Sequence, residues 1–194
     1  MSPFNSLLSE IKRCQVCSPF LALGAKPILQ IHPKAKILLA GQAPGKQAHL
    51  SGIPFNDPSG ERLRSWLGVE HKEFYDATQI AILPMGLCYP GKGRSGDLPP
   101  RPECAVTWHE RILTALPKIE LILVIGKYAQ SYYLNKPSAS VSQLAQSWLK
   151  NPSQIIPLPH PSPRNNSWLK RNTWFEKEMV PMIQKQVKKL SKSD

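Results

Sequence analysis

With 194 residues, 41% hydrophobic and 20% charged, the chain is long enough to bury a sizeable core and too evenly mixed for a disordered or fibrous protein. Its formal net charge of +12 suits a polyanionic partner such as nucleic acid or serves solubility alone, and no apolar run nears the roughly 20 residues of a membrane-spanning helix. The N-terminus lacks the apolar core of a signal peptide, so a cytoplasmic setting is expected, in which the four cysteines stay reduced and open to metal rather than paired.

In chain order, the pattern predicts a short helix over 4–13, running up to Cys14. The run "AKILLAG" (35–41), stopped by glycine, reads as a buried strand. "SGERLRSWLGV" (59–69) reads as a helix with a Ser59 cap and a stop at Gly68. "QIAILPM" (79–85) is the second strand. Next comes "PECAVTWHERILTAL" (102–116), a helix with Ala105, Trp108, Ile112 and Leu116 on one face. "LILVIG" (121–126) is the third strand, followed by helices over 128–134 and 141–149. "SQIIPLP" (153–159) is the fourth strand, and an amphipathic helix with a basic outer side closes the chain over 174–190.

Strands alternating with helices imply an α/β fold, a parallel sheet with helices on both faces, in one domain over residues 1–194. Ligands of such sheets bind beyond the carboxyl ends of the strands. There lie the chain's least ordinary stretches: "GQAPG", "PMGLCYP", "GKYAQ" and "PHPSPRN".

"GQAPGKQ" (41–47) is not a Walker loop, because only three residues separate Gly41 from Gly45 and Gln47 follows the lysine. A tight loop remains, in which glycine lets a ligand approach and Gln42 can position a water or an amide edge; a plain strand-to-helix turn is the alternative. In "LPHPSPRNNSW" (158–168) three prolines rule out a helix and hold His160 stiffly beside Arg164 and Asn165. Cys14 and Cys17 form a C-x-x-C pair, and fifteen residues separate Cys88 from Cys104. Four converging thiolates suit an iron–sulfur cluster or zinc, with buried unliganded cysteines as the alternative.

Taken together, "GQAPGKQAHLSGIPFNDPSGERL" (41–63) and "HPSPRN" (160–165) resemble the two signature motifs of the uracil-DNA glycosylase superfamily, in order and over almost the whole chain. "GQAPG" and "IPF" are most similar to the family-4 enzymes, "HPSPRN" to the single-strand-selective ones. The resemblance implies a three-layer αβα sandwich around a four-stranded, mainly parallel sheet. It also implies a monofunctional, monomeric DNA glycosylase of base excision repair, hydrolysing the N-glycosidic bond of uracil or a related deaminated base in single- or double-stranded DNA. The target nucleotide must then leave the stack.

Under that resemblance His160 is the donor to uracil O2, Phe55 stacks on the base, and Gly41, Ala43, Pro84 and Met85 line its pocket. Ser162, Arg164 and Asn165 meet the DNA strand, while Lys92, Arg94 and Arg101 of the long loop 84–104 are offered to phosphates. The cysteines are similar to a family-4 ligand set for a four-iron four-sulfur cluster, with zinc as the other option, tying the N-terminal segment to loop 84–104. Three positions depart from the family-4 pattern. Gln42 replaces a glutamate, Ala43 stands where several families carry Asp or Asn, and Pro84 replaces the asparagine that reads uracil. Asp57 is the nearest carboxylate, suited to catalysis or to capping the following helix, and backbone groups of 84–87 are left to read the base. Two other functions fit the composition: a catalytically weak nucleic-acid-binding module of this fold, and a hydrolase of small nucleosides or nucleotides.

Overall fold

The computed structural model describes residues 2–135 and 139–191. Its strands are β1 (Ile37–Ala40), β2 (Ile80–Ile82), β3 (Lys92–Gly93), β4 (Gly96–Asp97), β5 (Leu121–Ile125) and β6 (Ile155–Leu158). The four predicted strands form one all-parallel sheet in the order β2-β1-β5-β6, in which Leu39 faces both Ile82 and Leu123. β3 and β4, which carry no period long enough to be read from sequence, make a separate antiparallel hairpin inside the long 84–104 loop.

Side chains alternate across the sheet, and each face has its own core. Ile37, Leu39, Leu123 and Ile156 pack with Trp66, Trp148, Phe175 and Ile183 on one side. Leu38, Ala81 and Leu83 pack with Leu7, Ile11, Leu87, Trp108 and Ile112 on the other. Burial on both faces explains why the strands read as unbroken apolar runs. The N-terminal helix, Pro3–Lys12, belongs to this second core together with Cys17, Cys88 and Cys104.

Local chemistry corrects several boundaries. The helix predicted to start at Ser59 spans Pro58–Leu67, and its cap is Asp57, whose Oδ1 accepts from the Gly60 N–H at 2.9 Å. Proline at the first helical position suits this, since the amide there has no intrahelical partner. The stretch from 102 winds as Pro102–Cys104, a π turn Ala105–His109, then Glu110–Thr114. The wider turn brings both Trp108 and His109 into the interior. The C-terminal helix likewise opens as a π turn, Phe175–Met179, before Val180–Ser191, where Pro181 has no amide to donate. The prolines keep 159–162 irregular as expected, but Pro163 starts a 3-10 turn (Pro163–Asn165) that runs into a helix over Asn166–Arg171. No helix among the described residues is long and apolar enough to cross a membrane.

Candidate active site

At the carboxyl rim of the sheet a cavity of about 480 Å³ is bounded by the loops after β1 and β6 and by the β3–β4 hairpin. Gly41, Gln42, Ala43, Phe55, Asp57, Pro84, His160, Ser162, Arg164 and Asn165 all line it. Sequence reasoning had placed these ten residues in one site. Met85 is elsewhere: its side chain packs with Ala40, Val124 and Ala129, and its N–H donates to the Gly41 carbonyl at 2.9 Å.

Phe55 is held under strain. Its φ of 55° lies in the left-handed region, uncommon for an aromatic residue and costing about 1–3 kcal/mol. Several neighbours impose it. The Tyr75 hydroxyl donates to the Pro54 carbonyl at 3.0 Å, and the Phe55 ring meets Phe74 edge-on at 6.2 Å. A Cβ on Gly60 would lie 1.8 Å from the Phe55 carbonyl oxygen, so only glycine at 60 lets the two segments cross. A Cβ on Gly41 would sit 3.4 Å from the Phe55 ring, so the bare backbone leaves room for that ring beside the β1 loop.

His160 is equally fixed. Its Nδ1 accepts from the Ser162 N–H at 3.2 Å, and its carbonyl accepts from Asn165 Nδ2 at 2.7 Å. Arg62, on the helix from Pro58, donates to the carbonyls of Pro161 (3.3 Å) and Ser162 (3.1 Å) and to Asn166 Oδ1 (2.8 Å). Below the rim, buried Gln130 donates to the carbonyls of Leu158 (2.8 Å) and Val124 (3.3 Å), joining the ends of β5 and β6. Burial lowers the His160 pKa, outweighing the pull of Asp57 and Asp97 in the other direction. The ring is therefore neutral at pH 7. With Nδ1 accepting, the proton sits on Nε2.

The hairpin forms the third wall through Ser95, Gly96 and Asp97. Arg164 Nη1 donates to the Ser95 carbonyl at 2.9 Å, and Gln42 Nε2 donates to the Leu98 carbonyl at 3.2 Å. Buried Tyr89 has its pKa raised by desolvation and by the Asp97 carboxylate, to which its hydroxyl is hydrogen-bonded. Lys92 and Arg94 are exposed on this hairpin. Arg101 is not offered to solvent ligands, being paired with Glu103 and stacked 4.3 Å over the Phe20 ring.

The backbone at 84–87 is already engaged. Met85 and Gly86 donate to the carbonyls of Gly41 and Gln42, the Pro84 carbonyl faces His109 Nε2 at 3.1 Å, and the Leu87 carbonyl accepts from Ile28. Arg62, Gly60, Tyr75, Gln130 and Asp97 were missed by sequence reasoning. Arg62 lay on a recognised helix, but its partners are about a hundred positions away. Asp97 sits in a strand of two residues, where no pattern exists to read.

Cys17, Cys88 and Cys104 are buried and Cys14 half-buried, gathered between the N-terminal segment and loop 84–104. Desolvation pushes the Cys88 thiol up to about 11 and Cys104 to about 12, and the other cysteines add to both shifts. Trp108 Nε1 donates to Cys14 Sγ at 3.4 Å, and the backbone at Lys26 and Leu87 hydrogen-bonds to Cys88 and Cys104. Among the described residues no three His, Cys, Asp or Glu side chains are arranged as a ready-made site for a metal ion.

A family model described as the Uracil DNA glycosylase superfamily matches residues 29–184. A curated relative, the Type-4 uracil-DNA glycosylase of Sulfurisphaera tokodaii, is 24% identical over 174 residues, covering 84% of this chain and 76% of that protein.

Proposed function

This chain belongs to the uracil DNA glycosylase superfamily, and from that premise we propose that it hydrolyses the N-glycosidic bond of uracil or a related deaminated base in DNA. The observation that carries the proposal is the Ser162 N–H bonded to His160 Nδ1, in a cavity shared with Phe55 and Gln42.

Cleavage places negative charge on the departing base and positive charge on the sugar. A neutral imidazole presenting Nε2–H to the base O2 strengthens its bond as that charge grows, which lowers the barrier rather than merely binding substrate. The Arg62 and Asn165 hydrogen bonds fix the donor before the reaction, so little reorganisation is needed. Phe55 supplies a stacking face for the flipped base. Gln42 orients water but cannot accept its proton. Asp57 keeps Oδ2 for the cationic sugar, since Oδ1 is spent on the helix cap. Ser162, Arg164, Lys92 and Arg94 meet the DNA phosphates of a monomeric, cytoplasmic enzyme, with a salt-dependent contribution to affinity.

What supports a thiolate-bound group on the four cysteines is their chemistry: thiols raised by burial and by one another, with N–H donors at sulfur, become favourable anions only beside a cation. A four-iron four-sulfur cluster on Cys14, Cys17, Cys88 and Cys104 would staple the first helix to loop 84–104; zinc is the competing occupant. Iron and zinc counts on anaerobically purified protein decide between them.

The test of function is release of base from uracil-containing oligonucleotides, single- and double-stranded, followed by cleavage of abasic sites. His160→Ala is expected to lower the single-turnover rate about 10²–10³-fold. Tight binding without product on any deaminated base identifies a binding module instead.

A further inference from the structure

We propose that Asp97, on the β3–β4 hairpin, is the general base that takes the proton from the attacking water. This deepens the glycosylase reading and rests on it.

Three observations carry the assignment. The hairpin is fastened to both motif loops, by Arg164 Nη1 to the Ser95 carbonyl and by Gln42 Nε2 to the Leu98 carbonyl. Gly96 makes the first contact possible: its φ is 146°, and a Cβ there would lie 2.3 Å from Arg164 Nη1. The Asp97 carboxylate is thereby brought to the cavity wall, where its Oδ2 and Asp57 Oδ2 lie 3.7 and 3.8 Å from the point a Cβ on Gly45 would occupy.

These two are the carboxylates lining the cavity among the described residues. Asp57 is committed through Oδ1 to capping the helix from Pro58. Asp97 caps no helix among the described residues, and its side-chain partner is the Tyr89 hydroxyl. Gln42 is an amide that cannot take a proton, so a second loop supplies the base that the first loop lacks. Its own hydrogen bond helps to hold that second loop in place.

In the step itself, the water oxygen bonds to C1′ as the C1′–N1 bond breaks. The bonding pair leaves with the base, against His160 Nε2–H, and one water proton passes to Asp97. The products are the free base anion, protonated by solvent, and an abasic sugar carrying the water's hydroxyl. Asp97 then returns its proton to solvent.

Asp97 is exposed on a short hairpin, and Asp97→Asn keeps a side-chain oxygen to accept from the buried Tyr89 hydroxyl. With full-length protein and a single-stranded uracil oligonucleotide, Asp97→Asn is expected to lower the single-turnover rate about 10²-fold or more, with the Kd for DNA within about twofold. Asp97→Glu should recover most of that rate, and added formate should partly restore Asp97→Ala. If the wild type is active and Asp97→Asn cleaves as fast, the base assignment falls while the glycosylase reading stands. A wild type that releases no base from uracil, hypoxanthine or xanthine oligonucleotides overturns both.

Discussion

Gly60→Ala separates two opposed physical effects. Helix propensity alone favours the change, since alanine in a helix is worth about 1 kcal/mol over glycine. The geometry opposes it: the new Cβ would lie 1.8 Å from the Phe55 carbonyl oxygen and 2.9 Å from Phe55 Cβ. Contacts below about 3.0 Å are not sustained, so the backbone at 55 must retreat by at least about 1.2 Å. It cannot do so freely, because Tyr75 holds the preceding carbonyl and Phe55 already occupies a left-handed φ. Overpacking of this kind costs about 1–3 kcal/mol, which for a chain of this size lowers the melting temperature by roughly 2–4 °C per kcal/mol. A shift of about 1 Å in the stacking ring should also cost on the order of 10²-fold in rate. Thermal unfolding and single-turnover uracil release measure the two losses. A variant as stable and as fast as the wild type would refute the claim that Gly60 sets the Phe55 platform.

Arg62→Ala removes three hydrogen bonds to the His160 loop and is expected to lower kcat about tenfold with little change in KM, read from steady-state kinetics on one oligonucleotide. Acidification should destabilise the fold. His109 and His160 are held below the ordinary histidine pKa, chiefly by burial, so the unfolded chain takes up protons first and stability falls as pH drops through about 6.5. Melting temperatures between pH 7.5 and 5.5 should fall accordingly, and a flat or rising profile contradicts this.

The fold was legible because the strands are buried on both faces and so stand out as apolar runs between glycines and prolines. The candidate site was legible where the cavity is lined by short, unusual loops, as at Gly41–Gln42 and around His160. The remainder depends on contacts far apart in the chain. Nothing near Gly60 announces that the backbone of Phe55 crosses it, and Arg62 looks like any helix-surface arginine until the 160–166 loop folds over it. The hairpin was hidden for a different reason. Two-residue strands have no period, and their position comes from one nitrogen each of Arg164 and Gln42, residues that look like pure ligand contacts in sequence but also bond the protein's own backbone.

That spending bears on selectivity. At the wall where an asparagine amide would read uracil, Pro84 offers no side-chain donor or acceptor, and its carbonyl is turned to buried His109. The N–H groups of Met85 and Gly86 are taken by the β1 loop. A base edge against this wall meets shape rather than hydrogen-bond complementarity, inside a cavity of about 480 Å³. Sites that read a polar edge reject the wrong partner by about 10⁴–10⁵, whereas discrimination by fit alone yields roughly 10–200-fold. The ratio of kcat/KM for uracil over hypoxanthine in matched oligonucleotides is therefore expected to stay within about 10²-fold. Pro84→Asn should widen it by giving the wall an amide to lose when the wrong base enters. A wild-type ratio above about 10⁴ would mean that another group reads the edge, with Gln42 Oε1 the first to examine, because the side-chain nitrogen Nε2 is already bound to the Leu98 carbonyl.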